Sequence, residues 1–504
     1  MPAQPMKVVA RTADGSPGPN AAWPTDNKFL NGPFAPWTEE NEAYDLKVTG
    51  ELPADLNGAL FRVTSNPRFA PRNTDRYHWW EGDGLVCGIY LRDGRAAYRT
   101  RWVATDSYRF EVEAGEAVYS GFANGGTPGR LPAGAPPAKN VANTNVGIFD
   151  DHLLVYYEGG LPQALHPETL ETQGTYDFHG GVDVVCTAHY KIDPVSGDML
   201  FFAATGPTIT WYRADVKSGA IVDSHSFDIG VPVLMHDFAV TENHAVFFVT
   251  PALFRLDLIK QGLPGVVWDE QALPHGVQIV LMNRTTHQVT WHEAGGVWAN
   301  THFYNAYEHE GTVVVDGHRI DRLGTPTSRL HTPVGSHEWF PPAFPHRWQV
   351  DLASGKVSEQ RIGGVAGEFP KINDAYTGLR HRYGYFATTR ALAADTMSDG
   401  LARHDYARDA TTVVEGPDEL TSPCEPVFVA RENARGEDDG YLLSLWWNRA
   451  TGLSELLVHD AADLRRTPLA RVELPSRVPL GFHGSWADQA VLEAAVAGQP
   501  GNAG

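Results

Sequence analysis

The strongest constraint in this chain is a rhythm. Short apolar runs rich in Val, Phe, Tyr and Trp recur from one end to the other, each broken by a turn signal, as in "GALFRVT", "HLLVYYE", "MLFFAATG", "HAVFFVTP", "VQIVLMNR" and "YGYFATT". β-Branched and aromatic residues fit the pleated surface of a strand. Several runs are joined in pairs through Asp-Gly, Ser-Gly or Thr-Gly steps, as in "YLRDGRAAY", "YRADVKSGAIV", "WQVDLASGKVS" and "WWNRATGLSELLV", which are hairpin signals. About fifteen such runs without βα alternation predict an all-β protein with too many strands for one sandwich. Radial repetition of four-stranded sheets protects the edges at this size, so the expected fold is a β-propeller. Helices are expected only in "PGVVWDEQALPHG", "TRALAADTMSD" and "ADQAVLEAAVAG". The Pro-rich "TPGRLPAGAPPA" and "HEWFPPAFPHRW" read as loops over one face.

A chain of 504 residues would ordinarily divide into several domains, but no boundary is visible. We read 1–27 as an arm or disordered leader, 28–490 as a single propeller domain and 491–504 as a C-terminal tail. A net charge of -21 excludes a nucleic-acid partner, whose phosphates require a basic surface. It also disfavours adsorption to anionic lipid, and no run is long enough to span a membrane. Three widely separated cysteines, Cys87, Cys186 and Cys424, and an opening without an apolar core segment point to a reducing, cytoplasmic setting.

Twenty-one histidines select nothing by number. Four stand out by context, each among apolar or aromatic neighbours near a strand end: His189 in "TAHYKIDP", His236 in "VLMHDFAVT", His302 in "NTHFYNAYEHEG" and His483 in "VPLGFHGSW". Any one of them alone is more simply a satisfied buried histidine. Their spacing matches no local zinc motif. It is compatible with a propeller in which several blades each send one histidine to the central axis.

The ordered series "LFRVTSNPRF", "WWEGDGLVCGIYL", "VANTNV", "TAHYKIDP", "MHDFAVT", "HFYNAYE", "EFPKIN", "CEPVFVAR" and "RVPLGFHGSW" resembles the carotenoid cleavage oxygenase family over nearly the whole chain. The resemblance implies a seven-bladed propeller carrying one non-haem Fe²⁺ and using O₂ as co-substrate. It makes His189, His236, His302 and His483 the iron ligands and Glu158, Glu368 and Glu425 the carboxylates that hold three of them. Carboxylates accepting the distal N–H groups would fix the imidazole tautomers and offset the metal charge without occupying a coordination position. Thr144 in "NTN" matches a residue beside the open coordination face.

Within the family the chain is most similar to the lignostilbene and resveratrol-type branch. That branch binds a substrate hydroxyl with a tyrosine and a lysine, matched by Tyr108 in "RWVATDSYRF" and Lys139 in "PPAKNVANTNV". A lysine near a phenol stabilises the anion or accepts its proton. Phe69 in "NPRFAP" is expected on the substrate ring, and Trp79–Trp80 at an aromatic mouth. Cys87 stands where many relatives have histidine and is expected to reshape a loop near the entrance. The implied reaction is cleavage of the interphenyl C=C bond of a 4-hydroxystilbene, a small phenolic alkene, into two aromatic aldehydes. An apocarotenoid or isoeugenol-like substrate, a homodimer, and a non-catalytic propeller scaffold stay open at this point.

Overall fold

Each apolar run becomes a strand because both of its faces are buried. In His244–Val249, Ala245, Phe247 and Val249 turn toward Leu200 and Trp211, whereas Val246 and Phe248 turn toward Trp298 and Trp348. Successive side chains of a strand point to opposite faces, so an unbroken "AVFFV" fills two interlayer cores at once. Trp298 and Trp348 stack with ring centroids 5.1 Å apart, and Phe248 meets Trp348 edge-on. Full burial of such side chains contributes about 1.5–3 kcal/mol each.

The computed structural model of the chain describes residue 23 and residues 25–499, except 122–130, 262, 264, 323–341, 391–395 and 418. Seven antiparallel sheets of four to six strands form a seven-bladed propeller. Blades 2 to 6 follow the chain, with innermost strands Asn145–Phe149, Lys191–Ile192, Ala239–Val240, Ala299–His309 and Gly367–Lys371. Blade 7 has Val427–Ala430 against Gly440–Asn448. Blade 1 is closed from the far end of the chain: Gly481–Asp488 pairs antiparallel with Gly58–Asn66, with Arg62 opposite Gly484 and Thr64 opposite Gly481. A second closure runs the other way, where Val48–Gly50 adds to Ala470–Glu473 at the outer edge of blade 7.

The described residues contain three α-helices. Gln489–Ala497 forms within "ADQAVLEAAVAG" and buries Leu492 beside Ala59, Phe61 and Val146. The stretch expected as a tail from 491 is therefore docked on the propeller through Ala497. "PGVVWDEQALPHG" is instead a strand, Val266–Trp268, paired with Ala252–Phe254 and followed by a 3-10 turn at Glu270–Ala272. Its Val-Val-Trp core, β-branched and aromatic, prefers a hairpin. "TRALAADTMSD" falls in part on 391–395, outside the described residues, and its described residues, 389–390 and 396–399, are not helical; the arm falls largely on 1–22, also outside them. Asp106–Ala114, not anticipated as a helix, has ordinary caps: the Thr105 hydroxyl accepts from Tyr108 N at 3.1 Å, and Gly115 follows at φ 73°. The third helix, Leu256–Lys260, was likewise unanticipated.

Candidate metal centre and substrate cavity

Every blade delivers one histidine or one glutamate to the axis. His483 lies in the inner strand of blade 1, His302 in that of blade 5 and Glu368 in that of blade 6. His189 and His236 immediately precede the inner strands of blades 3 and 4, Glu425 precedes that of blade 7, and Glu158 follows strand His152–Tyr156 of blade 2. The four histidine ligand nitrogens lie within 4.8 Å of one another. No other metal-ligating group of this kind occurs among the described residues.

Carboxylates behind the imidazoles settle their tautomers. His302 Nδ1 donates to Glu368 Oε2 at 2.6 Å and His483 Nδ1 to Glu425 Oε1 at 2.8 Å. His236 Nδ1 pairs with Glu158 Oε1. With the proton on Nδ1, the Nε2 lone pairs of His236 and His302 face each other at 3.0 Å, and His189 Nε2 lies 3.2 Å from His236 Nε2. Lone pairs at that separation repel unless a cation shares them, so the donor set fits a metal ion. Imidazole ligation suits iron, as it does zinc, copper and nickel.

Electrostatics keep the ligands ready. Burial, reinforced by the neighbouring imidazoles, holds His189 well below the usual histidine range. Burial also lowers His483, to about 4, despite Glu425. At His236 burial acts downward, but the Glu158 carboxylate outweighs it and the net direction is up. Burial would raise Glu425, yet Lys371 and His483 hold it down to about 2. Metal ligation requires neutral imidazoles, which buried His189 and His483 already are.

A cavity of about 1950 Å³ opens onto this centre, with His236, His302 and Glu368 in its wall. Phe69, Trp79, Trp80, Phe369 and Phe482 supply aromatic surface. Trp79 is fixed by Nε1 donating to Leu480 O at 2.7 Å, and Phe482 lies 4.3 Å from its ring. Thr144 lines the cavity, and its carbonyl accepts from His483 N at 3.1 Å. The Pro-rich loops contribute Leu131–Ala138 residues and Pro342–Ala343, although 122–130 and 323–341 are not described.

Lys139 reaches the same wall and is doubly ion-paired, to Glu111 Oε2 at 2.7 Å and Asp83 Oδ1 at 2.8 Å. Burial acts to lower its pKa, but the two carboxylates prevail and hold it as an ammonium. Lys139 is therefore a donor, which removes the proton-acceptor role considered from the sequence. Asp83 and Glu111 were not anticipated, although "EGDG" and "RFEVEAG" placed them beside residues that were. Tyr108 is not among the residues lining the cavity: it stacks on Trp102 at 5.6 Å, and burial raises its pKa. The Asp83 carboxylate that pairs with Lys139 also acts on the Tyr108 phenol, so Tyr108 sits in the neighbourhood of that pair although it is not in the wall itself. Cys87 lies within strand Asp83–Arg92, opposite Arg62 and Thr100 and 1% exposed, not in an entrance loop. Burial raises its thiol to about 12, so it is inert packing.

Known proteins resemble this chain in sequence and in fold. The family model described as "Retinal pigment epithelial membrane protein" matches residues 34–488. Lignostilbene-alpha,beta-dioxygenase isozyme III of Sphingomonas paucimobilis is 30% identical over 494 residues, covering 93% of this chain and 98% of the relative. Carotenoid 9,10(9',10')-cleavage dioxygenase 1 of Phaseolus vulgaris is 31% identical over 507 residues, covering 92% and 90%. The crystal structure of Pseudomonas brassicacearum lignostilbene dioxygenase superimposes with a TM-score of 0.82 at 26% identity, over 92% of this chain and 99% of that one. The family is non-haem iron dependent. Match, fold and the four-histidine centre place this chain in the retinal pigment epithelial membrane protein family, that of the carotenoid cleavage oxygenases, as an enzyme rather than a binding scaffold.

Proposed function

We propose that this protein cleaves the interphenyl C=C bond of a 4-hydroxystilbene with O₂, giving two aromatic aldehydes. The observation that carries the reading is Lys139. Two of its three N–H donors are taken by Asp83 and Glu111, leaving one for a substrate oxygen in a cavity whose wall also carries Phe69, Trp79 and Trp80. An ammonium donating to a phenol oxygen favours the phenolate, whose electron density extends through the ring to the alkene. Phe69 and the tryptophans pack the rings, and Thr144 borders the metal face. Glu158, Glu368 and Glu425 keep the histidine lone pairs inward. Bound Fe²⁺ supplies the site at which O₂ is activated. Three buried free cysteines support a cytoplasmic setting.

One observation favours a second reading. The cavity exceeds the roughly 300–1,000 Å³ of an ordinary small-molecule site, which suits an apocarotenoid. The experiment is a panel of 4-hydroxystilbenes, isoeugenol and apocarotenoids offered to iron-loaded protein, with products identified by mass. Paired aldehydes from the hydroxystilbenes are expected. Turnover of apocarotenoids alone would overturn the stilbene reading.

A further inference from the structure

Three of the four histidines have a glutamate behind them and His189 has none. Its Nδ1 lies 3.8 Å from Asp237 Oδ1, too far for a hydrogen bond. Asp237 is a buried carboxylate, 3% exposed, directly after His236 in the chain. Oδ1 accepts from Lys191 Nζ at 2.9 Å and from Phe238 N at 2.8 Å, and Oδ2 accepts from Phe303 N at 2.9 Å. Lys191 is two residues beyond His189, and Phe303 follows His302. One carboxylate thus ties together the inner-strand ends of blades 3, 4 and 5.

Taking the four histidines as the metal centre, we propose that Asp237 and Lys191 form the positioning pair for His189, acting through the strand ends as the glutamates act directly on the other three ligands. Lys191 is also what the buried Asp237 carboxylate needs beside it. Without the ammonium, Asp237 would add an uncompensated charge next to His189. With Oδ1 already accepting twice, Asp237 fixes where the His189 backbone sits and leaves its Nδ1 without a direct partner on this carboxylate.

The test compares wild type, Asp237→Asn, Lys191→Met and Lys191→Arg. Readouts are Fe²⁺ per chain after anaerobic loading, Co²⁺ affinity, the visible absorption of bound Co²⁺, and the near-UV circular dichroism of metal-free protein. Asp237→Asn and Lys191→Met are expected to bind Co²⁺ about 10- to 100-fold more weakly, with a shifted absorption spectrum and unchanged near-UV signal. Lys191→Arg, which keeps the charge, should recover most of the affinity. Wild-type affinity and spectrum in folded Asp237→Asn and Lys191→Met would overturn the proposal. So would metal loss that tracks loss of the near-UV signal in both, since the pair would then only hold the fold. A wild type that takes up neither Fe²⁺ nor Co²⁺ would fail the metal-centre reading itself, an outcome distinct from the other two.

Discussion

Lys139 places a permanent positive charge in the cavity wall, among aromatic and aliphatic side chains and other charged groups such as Arg72 and Glu81. Its two carboxylate partners are nearly inaccessible, with Asp83 at 4% and Glu111 at 1% exposure. Glu111 is itself anchored by Val118 N at 2.7 Å and Tyr119 N at 3.1 Å. Removing the lysine leaves two buried carboxylates without their cation, a loss on the order of 3–5 kcal/mol. Lys139→Met should therefore lower the thermal midpoint. It should also cut kcat/KM for a 4-hydroxystilbene by about 10- to 100-fold, the worth of a hydrogen bond from a charged donor. Metal content should not change, because Lys139 touches no histidine in the cluster. Equal kcat/KM in mutant and wild type would remove the lysine from substrate recognition.

The strand Gly481–Asp488 does two jobs, closing blade 1 and carrying His483. Neither Gly481 nor Gly484 in it has a positive φ, so neither is there for a turn. What they provide is close approach: a Cβ on Gly481 would lie 2.1 Å from Val63 O, and one on Gly484 would lie 2.6 Å from Phe61 O. Gly481→Ala must push this strand off its neighbour, costing about 1–3 kcal/mol as overpacking does. Because His483 is two residues away, metal content should fall together with the thermal midpoint. Gly364→Ala, where an added methyl meets open space, is the control and should leave both unchanged. Metal retained in full by Gly481→Ala would separate closure from ligation. At this scale the sequence located the residues, and only the paired strand supplied the reason for them.

Across the whole molecule, several histidines outside the centre are buried in the neutral form. Burial lowers His78 to about 3, and lowers His318, His381 and His459 to about 4. Unfolded histidines titrate near 6.5, so acid adds protons to the unfolded chain first. Stability from these groups is complete above about pH 6.5 and is lost as pH falls toward about 4, at up to about 1.4 kcal/mol per pH unit for each group. Urea midpoints measured from pH 7.5 to 4.5 should fall steeply below 6.5. A flat profile over that range would show that these side chains are solvated in the fold.

Much of this architecture was legible locally. An unbroken apolar run with turn residues at its ends has one economical fate, a strand buried on both faces, and that held for "HAVFFVTP" as for "GYLLSLWW". The four histidines and three glutamates were legible too, through the family resemblance of the strand ends that carry them. The partnerships were not. Glu158 of blade 2 pairs with His236 of blade 4, Lys139 is claimed by two carboxylates, Tyr108 stacks on Trp102, and Asp237 binds across three blades. Strand formation depends on neighbours a few residues away, which the sequence displays. Pairing of buried charges depends on which groups the closed ring brings within about 3 Å and on how they compete for the same donors, and only the tertiary structure decides that.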